Sequence, residues 1–206
     1  MRIAVFGATG GTGRHLVDQA LADGHQVVAL ARHPEKLGSS PGLTTVEGNV
    51  LDAARVAQAV DEADAVCCVL GNTPDNPKMI VSAGTANVIT AMKAHDVRRL
   101  VVVSSIGIGD SQKQVPLAFR LVFNAVPSMR MAMADKEAQE KLVRESGLDW
   151  VIVRPGGLTD GPRTGKYTHG LDKKIIAGQI ARANVAEFVL RQTADDTYLH
   201  QAVAVT

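Results

Sequence analysis

The stretch VFGATGGTGRHL, residues 5–16, constrains this chain more than any other, because it sets four glycines directly after an apolar run and before a helical pattern. Glycine inside a helix or strand costs roughly 0.5–1 kcal/mol relative to alanine, so such a cluster implies a backbone that turns tightly or lies close to something else. Gly7, Gly10 and Gly13 form G-x-x-G-x-x-G. Gly7 permits the turn out of the strand, Gly10 lets the backbone approach a pyrophosphate, and Gly13 lets the helix pack closely on the strand. The free N–H groups and positive end of that helix then meet the phosphates. Arg14 stands in the first helical turn, where a cation opposes the helix dipole unless an anion is near. It reads equally as a phosphate contact or as a solvated arginine.

Downstream, short β-rich runs alternate with helical patterns. The runs are Ile3–Phe6, Val27–Leu30, Thr44–Glu47, Ala65–Leu70, Leu100–Ser104 and Trp150–Arg154; the helical stretches are Gly13–Ala22, Ala53–Val60, Met79–Ala94 and Ser128–Ser146. Continuous apolar runs such as LVVVSS indicate strands covered on both faces, as in a parallel sheet. The alternation predicts an α/β, Rossmann-like doubly wound parallel sheet with helices on both faces, in one domain spanning residues 1–206. The regular pattern breaks at 106–127 and 155–182, which are expected to cover the substrate. The final VAVT offers one more strand.

An NAD site usually carries an acid about 20 residues beyond the glycines to accept the ribose 2′-OH, whereas an NADP site carries an arginine. Here the second strand runs into ARHPEKL, with Arg32 at its tip and Lys36 a turn later. A carboxylate would repel a 2′-phosphate and a guanidinium grips it in two places, so NADP(H) is the expected cofactor. The 22 basic and 21 acidic residues nearly cancel, so no whole-chain field draws the protein to nucleic acid or an anionic membrane. No apolar stretch reaches the length of a membrane span, and the chain opens directly on the strand-like RIAVF without a signal-peptide layout, so a cytoplasmic protein is expected. Cys67 and Cys68 are adjacent in an apolar run, which suits buried small hydrophobes rather than a disulfide framework. Six scattered histidines show no metal-ligand spacing, and no metal site is expected.

The stretches GATGGTGRHLVDQAL, GNVLD, AMKAHDVRRLVVVSS and KLVRESGLDWVIVRPGGLTDGPRTGKYT together resemble the atypical short-chain dehydrogenase/reductases, and within them the biliverdin-IXβ reductase, or NADPH flavin reductase, branch. The resemblance covers nearly the whole chain. It implies that Gly7, Thr9, Gly10, Gly11 and Thr12 contact the pyrophosphate and that Arg32 and Lys36 contact the 2′-phosphate. Asn49 and Val50 border the adenine on the same grounds, at a position where the family more often has Asp than Asn. Leu70 and Gly71 line the adenosine side. Ser104 and Ser105 face the nicotinamide, with Ser105 as the catalytic candidate, and Pro155, Gly156, Gly157 and Leu158 lie beside the carboxamide.

Two departures from the wider family shape the expected chemistry. Short-chain dehydrogenases use Tyr-x-x-x-Lys, in which the lysine lowers the tyrosine's pKa for acid/base work; here Lys136 is present but Ala132 stands four residues before it. The biliverdin/flavin branch lacks that tyrosine too. PLAFRLVFNAVP, residues 116–127, resembles an apolar insertion longer than the branch implies. Met129 and Met133 lie one turn apart, either as helix packing or as a wall against a flat ligand. His169, Arg163 and Lys166 lie in the flap-like TGKYTHG region as surface groups or substrate contacts. The expected activity is hydride transfer from NADPH to a planar conjugated acceptor such as a flavin, a bilin or a quinone, by a monomer or small homo-oligomer whose partner is that small molecule. The alternative is an NADP(H)-binding redox sensor or scaffold without turnover. An epimerase or dehydratase suffers from the missing tyrosine.

Overall fold

The computed structural model describes all of residues 1–206 except 74, 75, 77, 78, 118, 119 and 122–124. The centre of the apolar insertion therefore lies outside the described residues. The strand order follows from where each crossover helix can pack. β1 (Arg2–Phe6) pairs in parallel with β2 (Gln26–Ala31) on one side and β4 (Ala65–Cys68) on the other. β3 (Leu43–Glu47) extends the sheet beyond β2, while β5 (Arg99–Val103), β6 (Asp149–Pro155) and β10 (Gln201–Val205) extend it beyond β4, all parallel. The two-residue β8 (His169–Gly170) closes the edge antiparallel to β10, giving the order β3-β2-β1-β4-β5-β6-β10-β8. The chain thus reverses direction of travel between β1 and β4, the switch point at whose carboxyl ends open α/β sheets bind ligands.

Alternate strand residues enter two separate cores. One lies under α2 (Ala53–Val60), α3 (Ile80–Ala94) and α4 (Pro127–Arg144), and includes Phe6, Val60, Met92, Val102, Val143 and Trp150. The other lies under α1 (Gly11–Ala22) and α5 (Arg182–Arg191), and includes Val5, Leu16, Val101, Val153, Phe188 and Val203. The adjacent Cys67 and Cys68 are both free and fully buried, one in each core.

Helix starts are fixed in different ways. Asp52 caps α2 by accepting hydrogen bonds from Ala54 N at 3.0 Å and Arg55 N at 3.2 Å. α3 has no cap of its own; the buried Asp135 of α4 accepts from Val81 N at 3.0 Å and Ser82 N at 2.8 Å instead. α4 begins with Pro127, whose missing N–H costs nothing in the first turn. A second, parallel sheet of β7 (Gly157–Thr159) and β9 (Gln179–Ala181) lies within the segment where the regular pattern breaks. Among the described residues no helix is long and apolar enough to cross a membrane.

Candidate functional site

A cleft of about 520 Å³ opens at the carboxyl ends of the central strands. Its first wall is the loop from β1 into α1. Gly7 holds φ +90, which only glycine adopts freely, and a side chain there would meet the Val69 carbonyl oxygen at 2.7 Å. At Gly13 a Cβ would run into the Gly7 carbonyl, so α1 sits on β1 at a distance that only glycine allows. Gly10 differs from both. Its backbone, φ −73 and ψ 166, suits any residue, and a Cβ would find only the Gly7 oxygen, at 3.3 Å. The fold requires Gly7 and Gly13, whereas Gly10 leaves room in front of the loop. That space fits a diphosphate.

The structure brings Gly7, Thr9, Gly10, Gly11, Thr12, Arg32, Asn49, Val50, Leu70, Gly71, Ser104, Ser105, Pro155, Gly156 and Leu158 around this one cleft. Lys36, exposed in the 3-10 turn Pro34–Leu37, and Gly157, in β7, do not line it. Arg14 is exposed and braces the glycine loop by donating its Nε–H to the Thr9 carbonyl at 3.2 Å. Asn49 is committed to its own turn, its Oδ1 accepting from Leu51 N at 3.0 Å. Val50 packs where Gly84 of α3 leaves space, since a Cβ at Gly84 would lie 2.7 Å from a Val50 methyl.

At the other end of the cleft, the Ser104 hydroxyl is buried with no hydrogen-bond partner among the described residues, an orphan that a ligand can satisfy. The Ser105 hydroxyl donates to the Ile106 carbonyl at 3.1 Å. Ala132 and Lys136 line the same end, and the Lys136 ammonium donates to the Val103 carbonyl at 3.1 Å. Burial pushes the Lys136 pKa down to about 8, against the pull of Cys68, Asp135 and Glu140. The unfolded chain keeps this proton to about pH 10.4, so it binds more protons than the folded chain between about pH 8 and 10.4, and stability rises with pH across that window. Lys136→Met removes this titration. The Tm of the wild type is expected to rise relative to that of Lys136→Met between pH 8 and 10.5, measured by thermal unfolding; a constant difference would contradict the burial argument.

The loop after β5 is tied down from beneath. Arg154 of β6, 3% exposed, donates Nε–H to Glu140 Oε1 at 2.8 Å and Nη2–H to Glu140 Oε2 at 2.6 Å. Its Nη1 donates to Asp110 Oδ1 at 2.7 Å, so one guanidinium joins β6, α4 and the 3-10 segment Gly109–Gln114. Other suggested contacts lie elsewhere. Arg163 pairs with Glu187 of α5 at 3.0 Å, and His169 shares a 2.8 Å hydrogen bond with the Tyr198 hydroxyl; neither lines the cleft. Met133 approaches the space beside Gly107, and Met129 is exposed. The sequence reading did not include Arg182, Asn72, Thr73 or Asn76, which also line the cleft. Arg182 carried no clear signal, because the helix it opens has neither a cap residue nor a single apolar face, and nothing around the Asn and Thr residues distinguishes them from ordinary loop positions.

The profile of a family described as NAD(P)H-binding matches residues 7–196. An uncharacterized chloroplastic protein of Arabidopsis thaliana is 32% identical over 197 residues, covering 90% of this chain and 69% of the relative. The structure of ChuY, an anaerobilin reductase from Escherichia coli O157:H7, superposes with a TM-score of 0.81 at 26% identity, covering 100% of this chain and 96% of the other. A short-chain dehydrogenase/reductase of Veillonella parvula in complex with NADP gives a TM-score of 0.82 at 20% identity, over 99% of this chain and 93% of the other, a likeness of fold.

Proposed function

Because the chain belongs to the NAD(P)H-binding family, we propose that it is an NADPH-dependent reductase that delivers hydride to a planar conjugated acceptor of the flavin or bilin type. The observation that carries this reading is the pairing of Ala132 with Lys136 in the cleft. The position that would present an acid/base tyrosine to a ketone holds a methyl group, so alcohol–ketone chemistry lacks its proton donor. A conjugated acceptor takes hydride while its proton comes from water. ChuY, whose likeness to this chain extends over its full length, is a reductase of a bilin.

When bound, the reduced nicotinamide supplies the hydride; the chain's own residues bind, orient and exclude water. Arg32 at the tip of β2 pairs with the 2′-phosphate and sets the preference for NADPH over NADH. The Ser104 hydroxyl, without a partner among the described residues, and the backbone around Pro155 and Gly156 fix the nicotinamide face. Ser105 orients groups without giving up a proton, consistent with its hydroxyl hydrogen being held by Ile106. The segments leaving β5 and β6 expose Leu117, Leu121, Leu171 and Ile176, with Lys113, Lys173 and Lys174 exposed in the same stretches of sequence, none of them in the lining of the cleft itself.

NADPH oxidation assayed against flavins, bilins, quinones and simple ketones tests the reading. Turnover is expected with one of the conjugated classes and not with the ketones; efficient ketone reduction, or no turnover with any acceptor, would sink it. In the same assay Ser105→Ala is expected to lower turnover by about ten- to a hundredfold, roughly 1.4–2.7 kcal/mol of barrier. Complete loss of activity with normal NADPH binding would instead make Ser105 the chemical centre.

A further inference from the structure

The segment between β6 and α5 carries one feature that the family's glycine pattern does not explain. Arg182, the first residue of α5, lies across the start of α1: its Cδ and Nε stand 2.6 and 2.9 Å from where a Cβ on Gly11 would be. Gly11 therefore leaves space for an arginine side chain from the opposite end of the chain. The placement is built rather than incidental. β7 and β9 pair in parallel with Thr159 opposite Ala181, so the next residues along each strand, Asp160 and Arg182, emerge side by side. Asp160 Oδ1 accepts from Arg182 Nη1 at 2.6 Å, and among the described residues this is the only hydrogen bond the guanidinium makes. The Asp160 side chain is 87% exposed while that of Arg182 is 27% exposed, so the acid sits outside and the guanidinium inside, lining the cleft.

Asp160 offsets the charge of Arg182, yet the start of α1 still carries more positive than negative charge. The first turn of α1 has no acid, its N-terminus carries the positive end of the helix dipole, and both Arg14 and Arg182 are brought to it. A dianionic diphosphate on the glycine loop reverses the sign of all three terms. A guanidinium that has spent one N–H on Asp160 keeps four others, in a planar fork matched to phosphate oxygens.

We propose that Arg182 is a cofactor-binding residue, an arm that reaches over Gly11 and pairs with the diphosphate of the dinucleotide, with Asp160 holding it in position. This rests on the reading of the cleft as a dinucleotide site, and it divides recognition into two cationic contacts: Arg32 for the 2′-phosphate and Arg182 for the bridge common to NADPH and NADH.

Equilibrium titration of NADPH, NADH and adenosine 2′-monophosphate against three proteins separates the two contacts. Arg182→Ala is expected to weaken NADPH and NADH alike, by about ten- to a hundredfold for the loss of one charge-assisted contact, and to leave adenosine 2′-monophosphate, which has no diphosphate, within about twofold of the wild type. Arg32→Ala is expected to weaken NADPH and adenosine 2′-monophosphate but not NADH. Arg182→Gln, which keeps most of the side chain's length, serves as a second variant if the alanine protein unfolds. Unchanged NADPH and NADH binding in a folded Arg182 variant would overturn the proposal, as would an equal loss for all three ligands, which would mean a collapsed cleft. A wild-type protein that binds none of the three would overturn the dinucleotide reading itself.

Discussion

Replacing Arg154 by methionine is expected to destabilise the protein by about 3–5 kcal/mol, because it leaves the buried Glu140 carboxylate without its bidentate partner and with only the half-exposed Arg144 guanidinium at 3.5 Å beside it. For a chain of this size that corresponds to a fall in Tm of roughly 6–20 °C, measured by thermal unfolding monitored by circular dichroism. The size of the effect comes from the charge left behind, not from the worth of the pair. Two ions taken out of water regain from each other little more than their desolvation cost, so removing both is far milder than removing one. The double variant Glu140→Met, Arg154→Met is therefore expected to recover most of the lost stability, and Asp110, whose side chain is 63% exposed, is left to water. A single variant that loses less than about 1 kcal/mol, or a double variant no better than the single, would show that the cluster is not the buried ion pair its geometry describes.

Gly10→Val is expected to do the reverse: fold normally and bind no dinucleotide. The backbone at Gly10 already has β-region angles, and apart from one carbonyl oxygen at 3.3 Å nothing in the protein occupies the space a Cβ would enter. The branched side chain would instead fill the space proposed for the pyrophosphate, and such a steric overlap cannot be relieved by solvent. Affinity should fall by about a thousandfold or more, on the order of 4 kcal/mol, with Tm close to that of the wild type. The same substitution at Gly7 or Gly13 would confound the measurement, since those positions are closed by Val69 and Gly7 backbone atoms. A folded Gly10→Val protein with wild-type NADPH affinity would mean that the glycine loop does not hold the phosphates.

Much of this architecture is written locally. The six leading strands and four of the helices announce themselves through apolar periodicity, because each element must present its own buried face. Boundaries move by a residue or two where tertiary pairing decides: the fourth strand ends at Cys68, not Leu70, because β1, its partner, ends at Phe6. The final strand runs Gln201–Val205, taking in VAV but not Thr206, and it is inserted between β6 and β8. α5 was not legible. Its residues Ala183, Val185, Ala186, Phe188, Val189 and Leu190 are buried together with Asn184, so burial nearly all round the helix leaves no single apolar face to read. It also begins at Ala181 without a side-chain cap. Missing the helix hid Arg182 with it. The glycine loop and Arg32 follow from strand–turn–helix grammar, and the serines after β5 and Lys136 from the family resemblance, whereas Asn72 and Asn76 reach the cleft only through three-dimensional packing that no spacing encodes.

The adjacent thiols have a consequence for how opening of this fold would be observed. Cys67 and Cys68 project into different layers, and burial pushes both thiols' pKa values up, so neither offers a thiolate to a reagent in the closed protein. Their side chains diverge from consecutive residues of one strand, which places each within a separate hydrophobic layer. The labelling rate at each sulfur therefore reports on the opening of its own layer, one formed by α2, α3 and α4 and the other by α1 and α5. Equal rates would describe a single cooperative unit. Unequal rates would give each side of the sheet its own opening free energy, and would show whether the layer carrying α1 and α5 loosens before the other.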